Sequence, residues 1–217
     1  MEEKIFIYFD TNFIKHSGKD IKLEAFTINN NLDRIVKTEW SKNIEFIVPE
    51  VVLREITHQL YRKYNDIVEM LKKKFSNEFI FDKLEEPEKY LERVEIEAYE
   101  YFKNKNIKIL PLSESINIKE LLDNALKSNK PFGGKNPSQK TDAGFKDAMI
   151  VESIKYNINK NKHRGKHLFV TNDKDMEGLL ESLNVVNIDE FEKNLAIHKI
   201  FNITYYTIST INRKSSF

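Results

Sequence analysis

The segment KIFIYFDTN (residues 4–12) gives the clearest indication of the fold, because a run of β-favouring apolar residues stops abruptly at Asp10. A short continuous apolar run of this kind is typical of a strand that is buried on both faces of a sheet. The segment HLFVTNDKD (167–175) repeats the pattern, with its apolar run ending just before Asp173 and Asp175. Ligands of open parallel sheets bind beyond the carboxyl ends of the strands. The two segments therefore predict an acidic site at one edge of a sheet.

Strand-like and helix-like segments alternate along the rest of the chain. The segment IEFIV (44–48) predicts a second strand, and Pro49 suits the first turn of a helix that we expect to reach about Lys63. Further helices are expected over 66–75, 88–104, 117–126, 142–157 and 176–183, and further strands over 107–110 and 185–188. This alternation predicts an α/β fold, namely a three-layer α/β/α sandwich around a central, mostly parallel sheet.

The domain organisation follows from length and charge. The chain has 217 residues, enough for one well-packed domain. We expect a single domain over 1–195, with a charged helical insertion over about 57–127. The tail over 196–217 is rich in Ile, Tyr and Thr, which favours β structure.

The composition excludes several classes of protein. Hydrophobic residues make up 40%, and the net charge of +1 argues neither for nor against a polyanionic partner. The absence of cysteine excludes disulfides and thiolate metal sites. The segment MEEKIFIYFD (1–10) lacks the basic start and long apolar stretch of a signal peptide, and no run is apolar enough to span a membrane. We expect a soluble, cytoplasmic protein.

Four acidic residues adjoin apolar sequence, where an isolated carboxylate is costly: Asp10, Glu55, Asp147 and Asp173. Asp147 shares a helical face with Val151, Ile154 and Ile158 and is therefore expected to point inward. Taken singly, each acid is also explained as a helix cap, a turn former or half of a surface ion pair. Taken together, four gathered carboxylates would repel one another unless a divalent cation lay among them. Mg²⁺ and Mn²⁺ prefer such oxygen ligands.

Several short motifs, in this order, resemble those of the PIN domain family of metal-dependent ribonucleases. They are DTN (10–12), PEVVLREI (49–56), KDAMIVES (146–153) and TNDKD (171–175). More narrowly, the chain is similar to the longer bacterial PIN-like proteins, in which a loop rich in glycine and lysine precedes the helical aspartate. Here that loop is FGGKNPSQKTDAGFKD (132–147).

The resemblance implies a nuclease that hydrolyses phosphodiester bonds by two-metal-ion activation of water. It implies that Mg²⁺ or Mn²⁺ is held by the acidic quartet Asp10, Glu55, Asp147 and Asp173. It also implies supporting roles for Asn12 and Thr171, which match polar neighbours of these acids. Asp142 and Asp175 are kept as candidate supporting residues, although each also suits the start of a helix.

The resemblance further implies a single-stranded RNA substrate, with DNA left open. Phosphates attract basic side chains, so we expect contacts from Arg54, Lys135, Lys140 and Lys146, although ordinary surface residues explain them equally well. The five histidines show no metal-ligand spacing and are expected to be incidental. The sequence leaves open whether an inhibitor protein or a second copy of the chain binds.

Two other functions are compatible with the same pattern. A phosphatase of the haloacid dehalogenase type also places an aspartate after its first strand, but that chemistry requires a second aspartate two residues later. Position 12 is Asn, so the acid–base partner is missing. A catalytically silent nucleic-acid-binding module with a PIN-like fold is the other alternative, although all four acids are present.

Overall fold

The computed structural model of the chain describes residues 4–14, 26, 28, 32, 35, 44–75, 84–114, 116–127, 144–161, 165–173 and 184–186. The strands are β1 (Lys4–Phe9), β2 (Ile44–Pro49), β3 (Lys108–Leu110), β4 (Gly165–Val170) and β5 (Asn184–Val186). The helices are α1 (Thr11–Ile14), α2 (Glu50–Lys74), α3 (Pro87–Asn104), α4 (Ile118–Leu126) and α5 (Phe145–Asn161). The helix expected over 176–183 and the tail over 196–217 lie outside the described residues.

The five strands form one parallel sheet in the order β3-β2-β1-β4-β5. In β1, β2 and β4 the last four residues are all buried. Successive side chains of a strand point to opposite faces, so burial of consecutive residues means that both faces of the sheet are covered. The expected three-layer α/β/α sandwich is confirmed.

Neighbouring residues of β1 show what covers each face. On one face, the Phe9 ring stacks on Phe13 of α1 and Phe46 of β2, with centroid distances of 4.7 and 5.8 Å. On the other face, the Tyr8 hydroxyl accepts a hydrogen bond of 2.6 Å from Asn157 Nδ2 of α5. Helix α5 therefore packs on the face opposite α1.

Helix α2 is longer than its sequence pattern indicated. We predicted one helix ending near Lys63 and another over 66–75, but the structure has a single helix from Glu50 to Lys74. Tyr64 and Val68 continue its buried stripe, and the Tyr64 ring stacks on Tyr90 of α3 at 4.0 Å. This contact with α3 explains why the helix does not end at the predicted break.

The topology creates a switch point between β1 and β4. The chain leaves β1 for β2 on one side and later returns to β4 on the other side. The backbone N–H of Asp10 donates to Val170 O at 3.2 Å, so the carboxyl ends of the two strands are joined. A sheet of this kind binds ligands in the crevice at such a switch point.

Among the helices that the structure describes, none has the length and apolar content needed to cross a bilayer.

Candidate active site

Asp10 lies at the carboxyl end of β1 and is only 7% exposed. Its Oδ1 accepts a hydrogen bond from the Thr11 backbone N–H at 2.6 Å, and its Oδ2 accepts from Thr171 Oγ1 at 2.7 Å and from Asn12 Nδ2 at 3.3 Å. Burial raises the pKa of Asp10, the hydrogen bonds from Thr171 and Thr11 oppose that rise, and the charges of Glu55 and Asp173 add to it. The carboxylate is thus held in one orientation by both of its oxygens.

Glu55 reaches the same region from the first turns of α2. Its Oε2 accepts a hydrogen bond of 2.7 Å from Thr11 Oγ1, and its Oε1 accepts one of 3.2 Å from Gln59 Nε2. Lys146 Nζ of α5 lies 3.7 Å from the same Oε1. Glu55 is therefore tied to α1 on one side and faces α5 on the other.

Asp147 lies in the first turn of α5 and is half-buried. Burial and the charges of Asp173, Asp10 and Glu55 together raise the pKa of Asp147 to about 6, against the opposing charge of Lys146. Asp147 thus lies within electrostatic range of Asp173, Asp10 and Glu55, the other three acids of the predicted quartet. The helical spacing of Asp147 predicted this inward position.

Thr171 follows β4, and its hydroxyl forms two hydrogen bonds at the end of this strand. Its hydroxyl, which donates to Asp10, also accepts a hydrogen bond of 2.9 Å from the backbone N–H of Asp173. The side chain is 3% exposed. One buried hydroxyl therefore contacts both Asp10 and the peptide that carries Asp173.

The carboxylate of Asp147 interacts through charge with those of Asp173, Asp10 and Glu55. Within the described ranges, no group of three or more His, Cys, Asp or Glu side chains is arranged to hold a metal ion. The donor chemistry nonetheless fits Mg²⁺ or Mn²⁺, since every member is a hard carboxylate and their mutual repulsion raises the pKa of Asp147. A cation would relieve that repulsion.

Two of the four predicted phosphate contacts lie in the described part of the chain. Arg54 is exposed and forms an ion pair with Glu50, whose Oε1 accepts from Nε at 3.0 Å and from Nη2 at 2.8 Å. Lys146 faces Glu55, as described above. The residues Lys135, Lys140, Asp142 and Asp175 lie outside the described residues.

The sequence did not indicate Thr11 or Gln59, which hydrogen-bond Glu55. Thr11 stands between Asp10 and Asn12 in the DTN motif, and Gln59 is four residues after Glu55, so both positions carried a usable signal. His58, which was expected to be incidental, lines a groove of about 570 Å³ together with Glu55.

Comparison with known proteins gives the family. No curated protein matches the chain. Among solved structures, the PIN domain of RRP44 from T. brucei is similar with a TM-score of 0.41 and 10% sequence identity, covering 91% of this chain and 82% of that one. The sequence profile of the PIN domain matches residues 7–176, which is more than half of the chain. The chain therefore belongs to the PIN domain family, whose members are generally metal-dependent nucleases, as its motifs predicted.

Proposed function

We propose that the protein is a Mg²⁺- or Mn²⁺-dependent endoribonuclease that cleaves single-stranded RNA by two-metal-ion activation of water. The observation that supports this most is the raised pKa of Asp147, which burial and three neighbouring carboxylates bring to about 6. Strongly perturbed carboxylates in a crevice are typical of functional sites. Membership of the PIN family supports a phosphodiester substrate for that crevice, and the preference for RNA rests on the family resemblance alone.

In this proposal Asp10, Glu55, Asp147 and Asp173 hold the metal ions. Bound Mg²⁺ or Mn²⁺ lowers the pKa of a water molecule and neutralises charge that develops on the phosphate. The protein's own contribution is orientation: Thr171 and Asn12 fix the Asp10 carboxylate, and Thr11 fixes Glu55. Such neighbours of metal ligands tune affinity and activity by about 10–100-fold.

The test is cleavage of a fluorescein-labelled single-stranded RNA by the purified protein with Mn²⁺, with Mg²⁺ and with EDTA. We expect internal cleavage with either metal and none with EDTA. Asp10→Asn and Asp147→Asn should each lose at least about 100-fold in rate, because each removes a metal ligand. Asp66→Asn, an exposed position on α2, is the matched control and should cleave normally.

Three outcomes would reject parts of the proposal. Cleavage at the normal rate by both site variants would reject the assigned residues. Phosphate release from a phosphomonoester without RNA cleavage would favour the phosphatase alternative. RNA binding without turnover under either metal would favour a silent binding module.

A further inference from the structure

The groove that Glu55 helps to line also carries a row of basic side chains along α2. Arg54, His58 and Arg62 all line it, and they are spaced four residues apart. Residues at this spacing lie on adjoining turns of one helix face, about 6 Å apart along the axis. The row therefore forms a ladder of positive or protonatable groups leading away from the acidic quartet.

The side chains of this ladder differ in whether an acidic partner already neutralises their charge. The guanidinium of Arg54 is held by Glu50, whose other oxygen accepts a hydrogen bond of 3.3 Å from the Leu112 backbone N–H. Arg62 is exposed, and no residue in the described part of the chain forms an ion pair with it. The charge of Arg62 is thus the one most available to an anionic ligand.

The other lining residues are three apolar side chains and the charged side chains of Glu50, Glu55 and Lys146. Val51 of α2, Leu112 after β3 and Met149 of α5 are the apolar ones, and Leu112 is 41% exposed. Nucleobases pack on apolar and aromatic side chains, whereas phosphates bind arginine. An apolar wall beside a basic ladder matches both halves of a nucleotide.

We propose that this groove is a subsite that holds single-stranded nucleic acid on one side of the scissile phosphate. The base adjoining that phosphate packs on Val51, Leu112 and Met149, and the next phosphates lie along His58 and Arg62. Glu55 belongs both to the acidic quartet and to the groove wall, so a strand that leaves the quartet enters the groove directly. This inference rests on the proposed function for its substrate class, but its own test is binding.

The first measurement is fluorescence anisotropy of a labelled single-stranded RNA of about eight nucleotides, with EDTA present to prevent cleavage. Arg62→Gln should weaken binding about 3–10-fold and reduce the dependence of log K on log salt by about one, because one phosphate contact is lost. Lys63→Gln is the matched control, since Lys63 is exposed on the same helix but does not line the groove. It should change neither quantity.

Two further arms separate the parts of the subsite. Leu112→Ser should weaken binding of the RNA but not of an abasic strand of equal length, because only the former has a base to pack on the apolar wall. Arg62→Gln should weaken RNA and DNA strands alike, since the ladder contacts phosphates. An equal effect of Arg62→Gln and Lys63→Gln on affinity and salt dependence, or no binding of either strand by the unaltered protein, would overturn the proposal.

Kinetics distinguish failure of the subsite from failure of the proposed function. Arg62→Gln should raise KM for the long RNA more than KM for a dinucleotide, because a dinucleotide has no phosphate that reaches the ladder. A protein that binds RNA through Arg62 but cleaves nothing would overturn the nuclease assignment and keep the groove. A protein that cleaves RNA with no effect of Arg62→Gln on KM would overturn the groove and keep the nuclease assignment.

Discussion

Thr171 Oγ1 donates a hydrogen bond of 2.7 Å to Asp10 Oδ2, although the two residues lie 161 positions apart in sequence. The bond joins the carboxyl ends of β1 and β4, the two strands that flank the switch point of the sheet. Because the same hydroxyl accepts from the Asp173 backbone N–H, it sets the positions of two acids of the quartet at once.

Replacing Thr171 by Val keeps the shape of the side chain and removes this hydroxyl. We expect Thr171→Val to lower the free energy of unfolding by about 1–3 kcal/mol, since the buried Asp10 carboxylate loses a donor. RNA cleavage should fall about 10–100-fold, because Asp10 is no longer held in one orientation. Urea denaturation and a cleavage assay measure the two effects.

Thr57→Val is the matched control for this change. Thr57 is completely buried, and its hydroxyl donates to the backbone oxygen Arg54 O within α2 at 3.0 Å. We expect it to affect stability but not cleavage. Normal cleavage by Thr171→Val would mean that the hydroxyl only supports the fold.

The pKa of Asp147 makes a prediction about stability in the absence of metal. Its pKa is about 6 in the folded chain against an ordinary value of 3.8, so ionisation of Asp147 destabilises the folded state as pH rises between these values. Asp147→Asn removes that ionisation. At about pH 7.5 in EDTA, the variant should be more stable by roughly 1–2 kcal/mol, after discounting the shift for partial exposure of the carboxylate.

The pH profile supplies the check on this prediction. The stability difference between Asp147→Asn and the unaltered protein should shrink as pH falls from about 6 towards 3.8. Urea denaturation across this range measures it. A variant that is no more stable at neutral pH, or a difference that does not change with pH, would contradict the assigned burial and like-charge repulsion.

His167 should affect the pH dependence of stability in the opposite direction to Asp147. It is buried, its Nδ1 lies 2.9 Å from the Tyr8 hydroxyl, and its Nε2 has no hydrogen-bond partner among the described residues. Burial lowers the pKa of His167 below its ordinary value of 6.5. Its contribution to stability is therefore complete above pH 6.5 and is lost as pH falls below that value, because the unfolded chain binds the proton more readily.

We expect His167→Phe to remove this pH-dependent contribution to stability, since phenylalanine continues the ring stack with Phe6 but cannot be protonated. Between about pH 7.5 and 5.5, the urea midpoint should fall less in the variant than in the unaltered protein. His58→Gln, at an exposed position, should retain the original pH dependence. Identical pH dependence in all three proteins would contradict the assignment.

Gly165 tests the pairing that brings the two acidic strand ends together. A Cβ at this position would clash with the backbone oxygen of Lys4, the partner position on β1. Gly165→Ala should therefore force β4 away from β1 and cost more than about 3 kcal/mol of unfolding free energy. Lys166→Ala, the next position of the same strand, is the control and should cost less. A normal urea midpoint for Gly165→Ala would contradict the described strand pairing.

The sequence predicted those parts of the molecule that depend on local pattern. The apolar run before Asp10 indicated β1, and alternation of strands with helices indicated the sheet, because burial on both faces leaves a continuous apolar signature. The helix break near Lys63 was wrong, since the packing of Tyr64 on Tyr90 depends on residues distant in sequence. The secondary-structure propensity of a local segment does not depend on such contacts and therefore cannot predict them.

The candidate site was less accessible to sequence reasoning than the fold. The inward face of Asp147 followed from helical spacing, whereas the hydrogen bonds from Thr11 to Glu55 and from Thr171 to Asp10 require knowledge of which strand ends meet. The ion pair of Arg54 with Glu50 was likewise not predicted from the sequence, and the phosphate contact expected of Arg54 stays a prediction. The metal ligands and the contacts to RNA remain predictions.

Isothermal titration calorimetry of Mn²⁺ into the metal-free protein shows directly whether the carboxylates bind a divalent cation, at about pH 7.5, where the Asp147 carboxylate is ionised. We predict saturable binding by the unaltered protein and by Asp66→Asn, and loss of that binding in Asp10→Asn and in Asp147→Asn. Equal Mn²⁺ binding by all four folded proteins, or no saturable binding by the unaltered protein, would contradict the claim that these carboxylates together form a divalent-cation site.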